Sequence, residues 1–168
     1  MPPRSPIVRP AAALILFASA IAPAAADIPG QPGPADVALV ESCLADAAKA
    51  LADPDGCVGR VSSACAAQAT TDPARARCED RERAVWSAAL NRDYERLTAL
   101  VADAGVKAAL RDAERGFVLA KLKTCTFERL ARKDSPEALR AASRCDLRAT
   151  ARQDLWIRQQ IAALTAAH

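Results

Sequence analysis

Apolar residues recur along this chain at steps of three and four, and no strand-like alternation of useful length occurs. From Asp36 to about Ala52, residues Val37, Val40, Leu44, Ala47, Ala48 and Leu51 mark one face of a helix. DPDG at 53–56 stops that helix, because proline and glycine both interrupt the pattern. CVGRVSSACAAQ then reads as a short helix, and TTDP at 70–73 supplies a cap and a proline suited to a first helical turn. A long helix is predicted from Pro73 to about Ala104, with Val85, Trp86, Ala89, Leu90, Leu97, Leu100 and Val101 on one side and Gly105 as the break. The next runs from about Val106 to Arg132 on a stripe of Val106, Leu110, Ala113, Phe117, Ala120, Thr124 and Phe127. KDSP at 133–136 should end it and start the last helix, with Ser135 as N-cap and Pro136 in the first turn. That helix reaches about Thr165, its apolar contributors being Leu139, Trp156, Ile157, Ile161 and Leu164. Alanine, leucine and arginine dominate, all good helix formers. The fold class expected is all-α: an antiparallel bundle of three long helices plus one or two shorter N-terminal helices.

The N-terminus has a different character. MPPRSPIVRP carries Arg4 and Arg9, AAALILFASAIA is a largely apolar run of 12 residues, and small residues precede Asp27. This is the arrangement of a secretory signal peptide over residues 1–26, cleaved after Ala26, with an apolar run shorter than the roughly 20 residues of a membrane span. Residues 27–35, DIPGQPGPA, read as a flexible lead, and 36–168 as a single helical domain. No membrane anchor is expected after cleavage, and the periplasm is the expected destination. Without Arg4 and Arg9 the formal charge falls from +3 to +1, and the signs are interspersed. No basic stripe of the kind that binds nucleic acid is implied, so no nucleic-acid partner is expected.

All six cysteines lie beyond the signal region: Cys43, Cys57, Cys65, Cys78, Cys125 and Cys145. An even number in an exported chain reads as three disulfides. Zinc and haem are poor alternatives, because there is no C-x-x-C pair and the sole histidine is His168, the last residue. No metal or cofactor is expected. Six cysteines permit many pairings. Their placement suggests that Cys43 joins Cys57 across DPDG, Cys65 joins Cys78 across TTDP, and Cys125 joins Cys145 across a helical hairpin. Closing that last loop stabilises by roughly 3 kcal/mol in the chain-entropy account.

Candidate chemistry is sparse. There is no histidine to activate a nucleophile and no glycine-rich phosphate loop, so no catalytic residue is assigned and no enzyme is expected. Glu82 and Asp93 fall among the apolar positions of CEDRERAVWSAALNRDY (78–94). They lie roughly 16 Å apart along one helix at about 1.5 Å per residue, too far for a hydrolytic pair, which needs about 5 to 9.5 Å. Each is expected to meet a cation from a neighbouring helix, with Arg111, Arg115 and Lys121 as donors; a binding surface is the alternative. Trp86, Phe117 and Trp156 are expected in the core rather than in a ligand pocket. Tyr94 belongs at the edge of its stripe, and Asn91 points away from it. Arg140, Arg144, Arg148 and Arg152 form a ridge, with Arg158 beyond. They serve either as a solvated face and internal cations or as an acceptor for an anionic partner.

The spacing C78-x3-E82-x3-W86-x3-L90-N91-x2-Y94, then L110-R111-x-A113-E114-R115-x-F117, then Cys125, Cys145 and Thr150, resembles the LprI-like lysozyme inhibitor family. Cys43, CVGRVSSAC and Thr70 look like an extended N-terminal form. The resemblance spans about residues 43–156. It implies a small, exported, cysteine-paired helical domain of the bacterial envelope that binds lysozyme and occludes its cleft. A periplasmic accessory or stress protein with another partner is the alternative. Glu82, Trp86, Leu90, Asn91, Tyr94, Leu110, Arg111, Ala113, Arg115, Phe117 and Thr150 are the motif positions. The chain departs from the family at Ser87, Glu114, Phe117, Lys121-Leu122 and KDSPEALRAAS, which keeps cysteines and core aromatics while altering polar positions.

Overall fold

The computed structural model describes residues 31–166. The expected signal peptide, part of the expected lead and His168 therefore lie outside the described residues. Five α-helices and one 3₁₀ turn account for the fold: α1 (Pro34–Ala50), the 3₁₀ turn (Pro54–Cys57), α2 (Arg60–Ala66), α3 (Asp72–Leu100), α4 (Ala104–Leu130) and α5 (Ala138–Ala166). No strand occurs among the described residues. The all-α, disulfide-stapled bundle is the architecture observed.

Local chemistry sets the helix ends. α1 begins at Pro34 instead of Asp36. Proline suits a first turn because its missing N–H would go unused, and Asp36 accepts from the Gly33 N–H at 2.7 Å. The helix ends on Leu51 in the left-handed region (φ 52°), with the Ala52 N–H donating back to the Ala47 carbonyl. Gly59, at φ 101°, turns the chain into α2, a conformation that glycine adopts without a Cβ penalty. Thr71 caps α3 by accepting from the Ala74 N–H.

Two expected boundaries shift. The break after α3 falls at Val101–Asp103, and Gly105 sits inside the first turn of α4. Asp103 captures the Val106 N–H at 2.8 Å, so the side-chain cap outweighs the glycine. At the other hairpin, Ser135 accepts from the Glu137 N–H in a turn, and α5 starts at Ala138, so Ser135 and Pro136 do not cap it.

The disulfides pair Cys43 with Cys57, Cys65 with Cys78, and Cys125 with Cys145. Each joins neighbouring elements in chain order, as their helical placement suggested. The main interface is α3 against α5, α4 lies along α5, and α2 lies on α3. Contacts between α4 and α5 run antiparallel, with Lys121 meeting Asp146 and Glu114 meeting Gln153. Contacts between α3 and α5 run parallel, with Glu79 meeting Arg144 and Asp93 meeting Arg158. An up-down-up chain path requires both. One core layer gathers Val40, Cys57, Val61, Trp86, Leu147 and Leu155 where the N-terminal elements cover α3 and α5. The second gathers Leu90, Leu97, Leu110, Ile157 and Ile161, flanked by Tyr94 and Phe117.

Trp156 does not join either layer. It is 39% exposed, and Phe127 is 66% exposed, as are parts of Val106, Leu139 and Leu164. The reason is that α4 packs mainly on α5, so only Leu110 and Cys125 of its length are fully covered. Trp156 lies one position from Leu155 and Ile157, both of which take the buried arc of α5.

Candidate functional site

Three polar assemblies occupy the seams between helices. The first centres on Glu82, which is 0% exposed on α3. Its Oε1 accepts from the Gly59 N–H at 2.6 Å and from the Trp86 indole Nε1 at 3.0 Å, and its Oε2 accepts from the Ser62 N–H at 2.7 Å. The carboxylate thus sits at the N-terminus of α2, where free backbone N–H groups favour negative charge. The expected cation from a neighbouring helix is not its partner. Arg115 pairs instead with Asp112 on its own helix, and Lys121 with Asp146. Arg111 is exposed. Backbone donors replace a guanidinium because α2 brings two of them to within hydrogen-bonding distance of the same carboxylate.

The second assembly is where the other acid of the pair belongs. Asp93 meets Arg158 of α5 at 3.0 Å and Arg92 at 3.1 Å, so its cation does come in part from a neighbouring helix. The Arg158 Nε also reaches Asp154 Oδ2 at 2.8 Å, and its terminal nitrogens fork onto Glu41 of α1 at 3.1 and 3.4 Å. Arg92 reaches Glu41 as well, at 3.3 Å. Three carboxylates therefore share two guanidiniums. Asp154 is 0% exposed and its Oδ1 has no partner among the described residues. Burial pushes its carboxyl up from 3.8 to about 6, Arg158 pulls it back, and nearby Asp93 raises it further. Arg92 and Arg158 are themselves held above the usual guanidinium value, Arg92 chiefly by its hydrogen bond to Asp93 and Arg158 by its carboxylate neighbours against the cost of burial. Asp154 did not stand out in the sequence, although a signal was there. It falls on the arc of Leu147, Thr150, Ala151 and Ile161, and an acid on a buried arc implies a partner.

The third assembly joins α3 to the start of α5. Arg140 and Arg144 both donate from Nε to Glu79 Oε1, at 3.4 and 3.2 Å, and Glu79 Oε2 is buried without a partner among the described residues. Burial raises the Glu79 carboxyl, and the two guanidiniums oppose the shift. Arg152 donates to Asp55 of the 3₁₀ turn at 3.3 Å. Much of the arginine ridge is thus tied to acids of neighbouring elements.

The motif positions divide between these seams and the surface. Glu82, Trp86, Leu90, Leu110 and Thr150 are buried; Tyr94 and Phe117 are half-buried; Asn91, Arg111, Ala113 and Arg115 are exposed. Phe117, Lys121, Asp146 and Thr150 form one α4–α5 link. The ammonium of Lys121 lies 5.5 Å from the Phe117 ring centre, 2.8 Å from Asp146 and 3.2 Å from the Thr150 hydroxyl. The exposed positions are not brought into one pocket with the buried ones.

Among the described residues no group of three or more His, Cys, Asp or Glu side chains is arranged to hold a metal ion, and no helix is long and apolar enough to cross a membrane. Three disulfides are the chemistry of an oxidising compartment. No family model, curated protein or solved structure matches the chain.

Proposed function

We propose that this protein is a non-catalytic binding domain of the bacterial cell envelope, exported to the periplasm, which docks on a lysozyme and occludes its cleft. One observation carries the reading. The residues responsible for the resemblance to LprI-like inhibitors, Cys78, Glu82, Trp86, Leu90 and Thr150, are buried in the scaffold, with Cys78 and Glu82 tying α2 to α3 and the others lying in the interior between the long helices. Glu82 accepts from three donors and is removed from solvent, which fits a carboxylate that holds α2 on α3. Recognition then falls to exposed side chains. A lysozyme cleft presents two carboxylates, and an inserted arginine can engage either through paired N–H donors. Arg111 and Arg115 are exposed motif cations on α4. The test is biolayer interferometry of the oxidised protein against immobilised c-type lysozyme, with R111A/R115A alongside. Saturable binding that the double variant weakens supports the proposal; no binding at micromolar concentration removes it.

A second reading has its own support. Leu119, Leu122, Phe127 and Leu130 leave apolar surface exposed on α4, as on a helix that meets another envelope partner. Lysozyme binding unaffected by L119E/L122E would count against that surface as the lysozyme contact.

A further inference from the structure

The arginine ridge lines a groove of about 570 Å³ along α5, into which Arg132, Arg140, Arg144, Arg148 and Arg152 all contribute. Two acids, Glu128 and Glu137, join them. The floor consists of small side chains one helical turn apart, Ala141, Cys145 and Ala149, and Cys145 is fixed by its bond to Cys125. No large apolar side chain lines the groove.

The arginines are positioned with donors to spare. Arg144 and Arg152 each spend only Nε on a protein acceptor, Glu79 and Asp55 respectively. Arg140 shares Glu79 Oε1 with Arg144 and also reaches Asp72 at 3.7 Å, and Arg132 pairs with Glu128. Arg148 has no ion pair or hydrogen bond among the described residues. Four residues along a helix rise about 6 Å, so Arg140 to Arg152 offers guanidiniums over roughly 18 Å.

We propose that this groove is a binding site for a ligand carrying two or more phosphate groups. A terminal phosphate presents three acceptor oxygens and close to two charges, and a bridging or diester phosphate two oxygens and one charge, so two or more of them suit several guanidinium forks better than a single carboxylate would. A peptide or apolar ligand would need anchoring pockets that a floor of alanine and cystine does not supply. Spacing along the ridge favours several anionic groups over one. The phosphates can belong to a soluble compound or to a lipid headgroup, and the groove recognises the chemistry common to both.

The test uses tripolyphosphate in isothermal titration calorimetry with the oxidised protein, and co-sedimentation with vesicles of cardiolipin, whose headgroup carries two phosphates, or of phosphatidylcholine. R148A/R152A is the working variant, because Arg148 is unpaired and Arg152 meets only an exposed aspartate; R111A, outside the groove, is the control. Thermal unfolding shows that each variant is folded. Tripolyphosphate should bind in a salt-sensitive manner, weaken about ten-fold or more in R148A/R152A, and change less than about two-fold in R111A. R148K/R152K should recover only part of the affinity, since lysine restores charge without the planar fork. Sedimentation with cardiolipin but not phosphatidylcholine vesicles, reversed by tripolyphosphate, assigns the lipid as source. Tripolyphosphate binding without sedimentation assigns a soluble ligand. Both outcomes support the site. Absence of binding to both probes overturns it, as does an equal loss in R111A, which would reduce the effect to net charge.

Discussion

Replacing Asp154 with asparagine should remove a pH-dependent weakness built into the α3–α5 seam. Asp154 is fully buried, one of its oxygens has no partner among the described residues, and it lies in a cluster where Glu41, Asp93 and Asp154 share Arg92 and Arg158. Burial, with Asp93 adding to it, raises its carboxyl from 3.8 to about 6 in spite of Arg158. The folded state therefore holds this proton more tightly than the unfolded chain does. Its favourable contribution is fully present below the unfolded value, near pH 4, and is lost as pH rises through about 6. A shift of about two units corresponds to roughly 2 to 3 kcal/mol between the two limits. Asparagine keeps an acceptor for Arg158 and does not ionise, which leaves Glu41 and Asp93 balanced against the two arginines. Urea unfolding of oxidised wild type and D154N, at steps from about pH 4 to about pH 8, separates this group from the rest, because Glu79 and every other carboxyl are common to both proteins. Relative to wild type, D154N should gain about 2 kcal/mol in going from the acid limit to the alkaline one. A difference between the two proteins that stays flat across the range would refute the reasoning, as would a difference that shrinks as pH rises.

Other expectations concern the scaffold. E82Q turns an amide N–H₂ toward donors that now meet a carboxylate, and should cost about 2 to 3 kcal/mol, read as a lowered midpoint in thermal circular dichroism; an unchanged midpoint contradicts the role given to Glu82. W86A removes a fully buried indole at the centre of the first core layer and should cost about 3 to 5 kcal/mol in denaturant unfolding. By contrast, W156A should cost under about 1 kcal/mol, because that ring is substantially exposed. C125S/C145S opens a loop with a sequence separation of 20 and should lower stability by roughly 3 kcal/mol, and peptides from an unreduced digest of the wild type should show only the three sequential pairs.

The periodicity of apolar residues located every helix, and turn chemistry located most of their ends, because both depend on residues close in sequence. The staples were also legible: once Cys125 and Cys145 lie at facing ends of a hairpin, only a short step remains to their bond. What stayed hidden depends on which side of a helix is covered. Phe127 and Trp156 satisfy the spacing of a buried stripe, yet α4 meets one main neighbour, and periodicity does not say how many neighbours a helix has. The partners of the buried acids were hidden for a related reason. An acid among apolar positions announces that it needs a donor, but at Glu82 the donors are the backbone N–H groups of Gly59 and Ser62, which any residue except proline could supply. The Asp93 site was half legible, since an arginine from another helix does meet it, although Arg158 takes the place of Arg111, Arg115 or Lys121.

The proposal that this scaffold binds and blocks a lysozyme is tested most directly by a turnover assay. Oxidised protein is titrated into c-type lysozyme acting on cell-wall substrate, with reduced protein as the control. Turnover should fall stoichiometrically at micromolar protein, and the effect should be lost on reduction of the three disulfides. Unchanged turnover, with no binding detected at the same concentrations, would contradict the proposal.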